Sequence, residues 1–150
     1  ELQNAGLQSI PGGGGEIFAP AVREKIGLGK CTAEVWLLVM RVAHELGMNT
    51  SATMMFGHLE GIADRIHHMD LVRSWQDQSI QDFSLDGGGR YVSFIAWPFQ
   101  PDNTPLGRIP EMTTNDVLLS LMARGINQCT KILDADFVLL VQVPIYELKH

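Results

Sequence analysis

The chain has 150 residues, of which 45% are hydrophobic and 19% charged, a size and composition suited to one globular domain that buries its own core without a disulfide or metal staple. Its formal net charge is −6 and no basic cluster occurs, which argues against a nucleic-acid surface or an anionic-membrane surface. Cys31 and Cys129 form no CxxC pair, no apolar run reaches the roughly 20 residues of a membrane span, and a reducing, cytoplasmic setting is expected.

The chain opens Glu1-Leu2-Gln3-Asn4, with no initiator Met and no signal-peptide pattern, and reads as a fragment. Leu7 to Ile10 is a short apolar stretch that runs into Pro11 and the glycines Gly12 to Gly15, so a strand there ends in a loop. Pro20 to Ile26 suits a short helix. Thr32 is a good N-cap with Glu34 in the first turn, and Trp36, Val39, Met40, Ala43 and Leu46 recur at helical spacing up to Gly47, a C-cap. Thr50 to Phe56, bounded by Gly57, reads as a strand. Ile62, Ile66, Met69 and Val72 set the period of a second long helix. Ser79 to Gly89 is polar, ends in Gly87 to Gly89, and reads as a surface loop or insertion. Tyr91 to Trp97 is aromatic and β-branched and stops at Pro98, which suits a buried strand. Thr113 or Thr114 caps a third helix through about Ile126, and Phe137 to Val143 is an apolar run of strand length.

The order β-(α)α-β-α-β-α-β implies βαβ units and a parallel sheet. A doubly wound sheet and a (β/α)8 barrel both accommodate it. The fold class expected is α/β, a partial (β/α)8 TIM-type barrel of about four parallel strands with helices, spanning residues 1–150.

Functional groups in such folds gather where strands end. Three of these places are polar or glycine-rich. Pro11 to Glu16 lacks Cβ atoms over four positions, so its backbone can approach a ligand, and Glu16 can accept from a sugar hydroxyl or an amine. A flexible turn explains the same residues. Gly57-His58-Leu59-Glu60 follows the second strand, and acid–base, hydrogen-bonding or local capping roles are open to His58 and Glu60. No metal site is expected, because His67 and His68 are adjacent on a helix and do not share a face. His44, His67 and His68 read as surface or packing residues, and Met40, Met54 and Met55 as core filling. Trp97 to Thr104 offers aromatic rings for stacking a flat ring system, with Gln100, Asn103 and Thr104 as hydrogen-bonding groups. A strand-to-helix turn with core aromatics is the alternative.

The strings Ser9-Ile10-Pro11-Gly12-Gly13-Gly14 with Glu16-Ile17, Trp36 to Arg41 with Ala43-His44 and Leu46-Gly47, Ala52 to His58 with Glu60, Gln76-Asp77, Phe94-Ile95 and Trp97 to Leu106 occur in one order. Together they resemble the radical S-adenosylmethionine enzymes of the futalosine pathway to menaquinone. That family includes dehypoxanthine futalosine cyclase, aminofutalosine synthase and the deazaflavin-forming FO synthase subunits. The resemblance covers about residues 5 to 125, the tail 127–150 is unmatched, and Trp97 to Pro101 is most like the cyclase. It implies the C-terminal half of a radical S-adenosylmethionine barrel that cyclises dehypoxanthine futalosine. It further implies S-adenosylmethionine and a 4Fe–4S cluster as cofactors, a nucleoside-like small molecule as substrate, and an N-terminal half-barrel as the necessary partner. Nucleic acid and membrane are not among the partners expected. Gly13, Gly14 and Glu16 are implied to lie beside S-adenosylmethionine or substrate, with His58 and Glu60 at the next strand end and Trp97, Phe99, Gln100 and Asn103 lining the cavity roof.

The sequence departs from the family pattern in several ways, among them a link from Asp77 to Phe94 that is longer than usual. CxxxCxxC is absent, Gly61 stands where a Thr is usual, and Ala96 stands where a Pro is usual. Two further readings stay open: a non-catalytic remnant of a truncated or split gene, and an unrelated barrel enzyme handling a phosphorylated sugar. The last is weakened because no Lys or Arg sits beside Gly12 to Gly15.

Overall fold

The computed structural model describes residues 1–26, 29–83, 87–100, 104 and 138–141, the last segment by its backbone. The elements in order are β1 (Ser9–Ile10), α1 (Pro20–Ile26), α2 (Ala33–Glu45), β2 (Asn49–Phe56), α3 (Ile62–Phe83), β3 (Tyr91–Pro98) and β4 (Val138–Val141). The expected helix from Thr113 or Thr114 to Ile126 lies outside the described residues. The four strands form one sheet in the order β1-β2-β3-β4, and every pairing is parallel. The architecture is therefore α/β with a parallel sheet.

Local chemistry accounts for several boundaries. Pro20 opens α1, where its missing N–H has no intrahelical partner to lose. Thr32 caps α2 by accepting from the Val35 N–H at 3.3 Å. At the other end of α2 the chain turns through Gly47 at φ 79°, with Gly47 N–H donating to His44 O and Met48 N–H to Ala43 O.

Alternation along the strands gives the sheet two unlike faces. Ala52, Met54 and Phe56 of β2 and Phe94 and Ala96 of β3 are buried in one core with Val22 of α1, Trp36, Leu37 and Met40 of α2, and Val72 of α3. Ser51, Thr53, Ile95 and Trp97 point the other way, are half-buried, and lie outside that core. Met40 and Met54 are buried in that core, as expected of core filling, while Met55 is buried on the opposite face, outside it.

Two expectations need correction. Val39 and Leu46, placed on the inner stripe of α2 by their spacing, are each 49% exposed, and Ile62 of α3 is 56% exposed. The buried seam of α2 is instead Ala33, Trp36, Leu37, Met40, Ala43 and His44, and that of α3 is Arg65, His68, Val72, Gln76 and Ser79. Ser79 to Gly89 is not a surface loop throughout, because α3 continues through Phe83. Ser79 is buried and bonded to His44, and Gly89 packs so tightly that an added Cβ would lie 1.9 Å from Met48 O.

His44 ties three elements together at the N-terminal end of the strands. Its Nδ1 meets Ser79 Oγ of α3 at 2.9 Å, its Nε2 meets Thr50 Oγ1 of β2 at 2.7 Å, and its ring stands edge-on to Tyr91 of β3. Gln76 adds two bonds, accepting from Tyr91 N–H and donating to Tyr91 O, both at 2.9 Å. Burial pushes the His44 imidazole down from 6.5 to about 4, and burial likewise pushes His68, stacked on Phe18 at 4.0 Å, down to about 3. These groups are held neutral in the folded chain and protonate freely in the unfolded one, so their contribution is complete above pH 6.5 and is lost as pH falls from 6.5 toward about 4 for His44 and about 3 for His68. The urea midpoint is therefore expected to be flat above pH 7 and to fall steadily between pH 6.5 and 4, with a shallower fall in His44→Gln.

Candidate functional site

Because the strands are parallel, the segments after β1, β2 and β3 emerge at the same end of the sheet. The structure thereby brings together Gly13, Gly14, Glu16, His58, Glu60, Trp97, Phe99 and Gln100 at one strand end. Asn103 lies outside the described residues.

The glycine loop after β1 is fixed rather than free. Gly12 N–H donates to Ser51 Oγ at 2.8 Å, and Thr53 Oγ1 donates to Gly12 O at 2.5 Å. An added Cβ at Gly12 would lie 2.5 Å from Ser51 O, and one at Gly15 would lie 2.9 Å from Thr53 O, so absent side chains let this loop lie directly on β2. Trp36 Nε1 donates to Gly13 O at 3.1 Å. The buried Arg23 of α1 donates to the carbonyls of Gly14 (3.0 Å), Gly15 (2.8 Å), Ile17 (3.3 Å) and Cys31 (2.9 Å), with its guanidinium 5.8 Å from the Phe18 ring centre.

Glu16 comes out of this loop at φ 35°, the left-handed region that side chains seldom adopt. Its carbonyl accepts from Met55 N–H of β2 at 2.8 Å, which holds that conformation. The carboxylate is buried. Oε1 pairs with Lys30 Nζ, and Oε2 is buried with no hydrogen-bond partner.

The turn after β2 is built on a buried ion pair. Glu60 Oε1 accepts from Gly57 N–H at 2.6 Å and from Arg65 Nε at 2.7 Å, while Oε2 accepts from His58 N–H at 2.9 Å. Both oxygens of Glu60 are thus engaged in shaping the turn. The His58 ring is buried, with Nδ1 accepting from Leu59 N–H at 2.7 Å and Nε2 donating to Met55 O at 3.2 Å. Burial pushes its pKa down against the opposing pull of Glu60, which favours a neutral ring.

At the end of β3, Trp97 stands on the half-buried face of the sheet, in register with Met55. Pro98 is the last strand residue, and Phe99 N–H donates to Phe56 O at 2.7 Å. That bond seats Phe99 edge-on to His58, with ring centres 5.9 Å apart. Gln100 is exposed, and its amide contacts Pro98 O at 3.4 Å.

Sequence reasoning did not single out Arg23, Lys30, Ser51, Thr53 or Arg65. A buried glycine loop needs donors for its carbonyls, which is the signal that would have pointed to a nearby Arg. Beside the loop, a cavity of about 450 Å³ is lined by Phe18, Arg23, Lys30, Cys31, Thr32 and Ala33, among others.

An iron–sulfur cluster does not fit these residues. Cys31 is single and exposed, and among the described residues no group of three metal-ligating side chains occurs. The strand ends offer a carboxylate oxygen without a partner and half-buried aromatic rings. Among the described residues no helix is long and apolar enough to cross a membrane.

No family model matches the chain. Curated relatives do. The chain is 48% identical over 107 residues to aminodeoxyfutalosine synthase of Thermus thermophilus, a match covering 71% of this chain and 26% of the relative. It is 36% identical over 118 residues to cyclic dehypoxanthine futalosine synthase of Halalkalibacterium halodurans, covering 79% of the chain and 30% of the relative. It is 38% identical over 131 residues to 5-amino-6-(D-ribitylamino)uracil–L-tyrosine 4-hydroxyphenyl transferase of Methanopyrus kandleri, covering 83% of the chain and 32% of the relative. The chain thus spans about a third or less of the length of each of these relatives.

The close approach of the glycine loop to β2 makes a position-specific expectation. Gly12→Ala should cost about 1–3 kcal/mol or more through the clash with Ser51, whereas Gly13→Ala, whose Cβ meets nothing within 4 Å, should stay within about 0.5 kcal/mol of wild type in urea unfolding.

Proposed function

We propose that this chain, similar over 71% and 79% of its length to two futalosine-pathway enzymes, belongs to the radical S-adenosylmethionine family that holds them and forms part of an enzyme that cyclises dehypoxanthine futalosine on the way to menaquinone. What supports the reading is one coincidence: three of the strings that resemble this family, those holding Gly12 to Glu16, Gly57 to Glu60 and Trp97 to Gln100, run out of β1, β2 and β3 at one end of a parallel sheet. In this reading residues 1–150 are the C-terminal half of a (β/α)8 barrel, with Ser51, Thr53, Ile95 and Trp97 facing its lumen. An N-terminal half-barrel, in the same polypeptide or a partner, closes the sheet and brings the CxxxCxxC thiolates for a 4Fe–4S cluster. The reducing cytoplasm is the compartment in which such thiolates persist.

A reduced cluster would supply the electron that cleaves bound S-adenosylmethionine to methionine and a hydrogen-abstracting 5′-deoxyadenosyl radical. This chain contributes binding and shape. Gly13 and Gly14 bring backbone to the ligand, and Glu16 offers Oε2 to a donor on S-adenosylmethionine or on a nucleoside-like substrate. His58, held neutral and oriented by the turn that Glu60 builds, borders the same space. Trp97 and Phe99 form a stacking wall, with Gln100 at its polar rim.

A second reading, aminodeoxyfutalosine synthase, is favoured by the higher identity to that relative, 48% against 36%. Chimeras separate the two. The matched segment of each relative is replaced by this chain's residues, and product formation is assayed with the cluster loaded. The H. halodurans chimera is expected to turn over dehypoxanthine futalosine. Activity of the T. thermophilus chimera alone would move the assignment to the synthase, and two folded, cluster-loaded but inactive chimeras would overturn the enzyme reading.

A further inference from the structure

Lys30 lies in the turn between α1 and α2, two residues before the N-cap Thr32, and no motif marks it. Its ammonium reaches back 14 positions to pair with Oε1 of Glu16. The partners differ in exposure: the Glu16 side chain is 11% exposed and that of Lys30 is 39%. Lys30 also stands on the wall of the cavity with Phe18, Cys31 and Thr32, so one side of it meets Glu16 and the other meets open space.

The backbone of Glu16 is already pinned by Met55 N–H at φ 35°, so its remaining freedom is in its side-chain torsions. A carboxylate bonded through one oxygen cannot rotate without breaking that bond. The Lys30 contact therefore decides where the other oxygen points. That oxygen, Oε2, is buried and without a donor, a state that costs free energy unless a donor arrives.

We propose that Lys30 is a positioning residue of the strand-end site: it holds one oxygen of Glu16 so that the other is presented, already turned, to a hydrogen-bond donor of the bound molecule. This rests on the ligand role given to Glu16 above. Lys30 touches no ligand in this scheme; it acts through Glu16. Arginine at position 30 keeps the charge and donor, and methionine keeps the reach while removing both.

The test labels the 150-residue chain with ¹³C at its glutamate carboxyl carbons and follows Glu16 in wild type, Lys30→Met and Lys30→Arg. Each is titrated with adenosine and, separately, with S-adenosylmethionine. The Glu16 resonance is expected to move with adenosine in wild type. The half-saturating concentration should rise about tenfold in Lys30→Met and stay within about threefold of wild type in Lys30→Arg. Lys30→Arg should melt within a few degrees of wild type and Lys30→Met lower, since it leaves the buried Glu16 carboxylate without its cation. Rescue by arginine separates positioning from mere bulk. The proposal is overturned if Lys30→Met titrates like wild type, or if the Glu16 carbon responds to neither compound. A response to adenosine alone upholds the role of Lys30 and removes S-adenosylmethionine as the ligand.

Discussion

The buried guanidinium of Arg23 is the interaction on which the strand-end site depends. A loop of four glycines lying against a sheet buries carbonyls that have no strand or helix to pair with, and each unpaired one costs free energy. Arg23 supplies donors to Gly14, Gly15 and Ile17, and with its Nε reaches Cys31 in the turn before α2. One side chain on α1 thus fixes the loop before it and the turn after it. With the loop fixed, Glu16 leaves it in a left-handed conformation that aims its carboxylate inward, and Met55 N–H secures that exit from the neighbouring strand.

The two ends of the sheet divide their work. At the N-terminal end, the side chains of His44, Thr50 and Ser79 bond to one another and Gln76 bonds the Tyr91 backbone, tying together α2, α3, β2 and β3, while the buried Tyr91 hydroxyl has no partner. At the C-terminal end, the Oε2 of Glu16 is a buried carboxylate oxygen without a partner. A parallel barrel keeps stability and chemistry at opposite ends in the same way. The one-sided core agrees with that picture, since helices cover the face that carries Ala52, Met54 and Phe94 while Ser51, Thr53 and Trp97 stay half-buried.

What was legible in the sequence was what local chemistry decides. Thr32 and Gly47 bound α2 because a hydroxyl cap and a left-handed turn need only near neighbours. The strands were legible because their apolar runs are short and bounded by Gly57 and Pro98. The inner face of α3 was not, because Arg65, His68, Gln76 and Ser79 are polar. Arg65 goes inside for Glu60, Gln76 for the backbone of Tyr91, and Ser79 for His44. Spacing alone put Ile62 inward in their place. In the site, residue types marked the three loops but not the roles within them. The two oxygens of Glu60 serve the turn, and no local pattern distinguishes such a carboxylate from Glu16, whose second oxygen is free of partners.

The central claim is that the loops after β1, β2 and β3 form one ligand site at the C-terminal end of the sheet. A backbone amide chemical-shift map during titration with S-adenosylmethionine tests it most directly. The account predicts shifts gathered at residues 13–16, 57–60 and 97–100, with Asn49 and Gly89 at the opposite end unmoved. Shifts centred on Asn49 and Gly89, or none at saturating ligand, would contradict it.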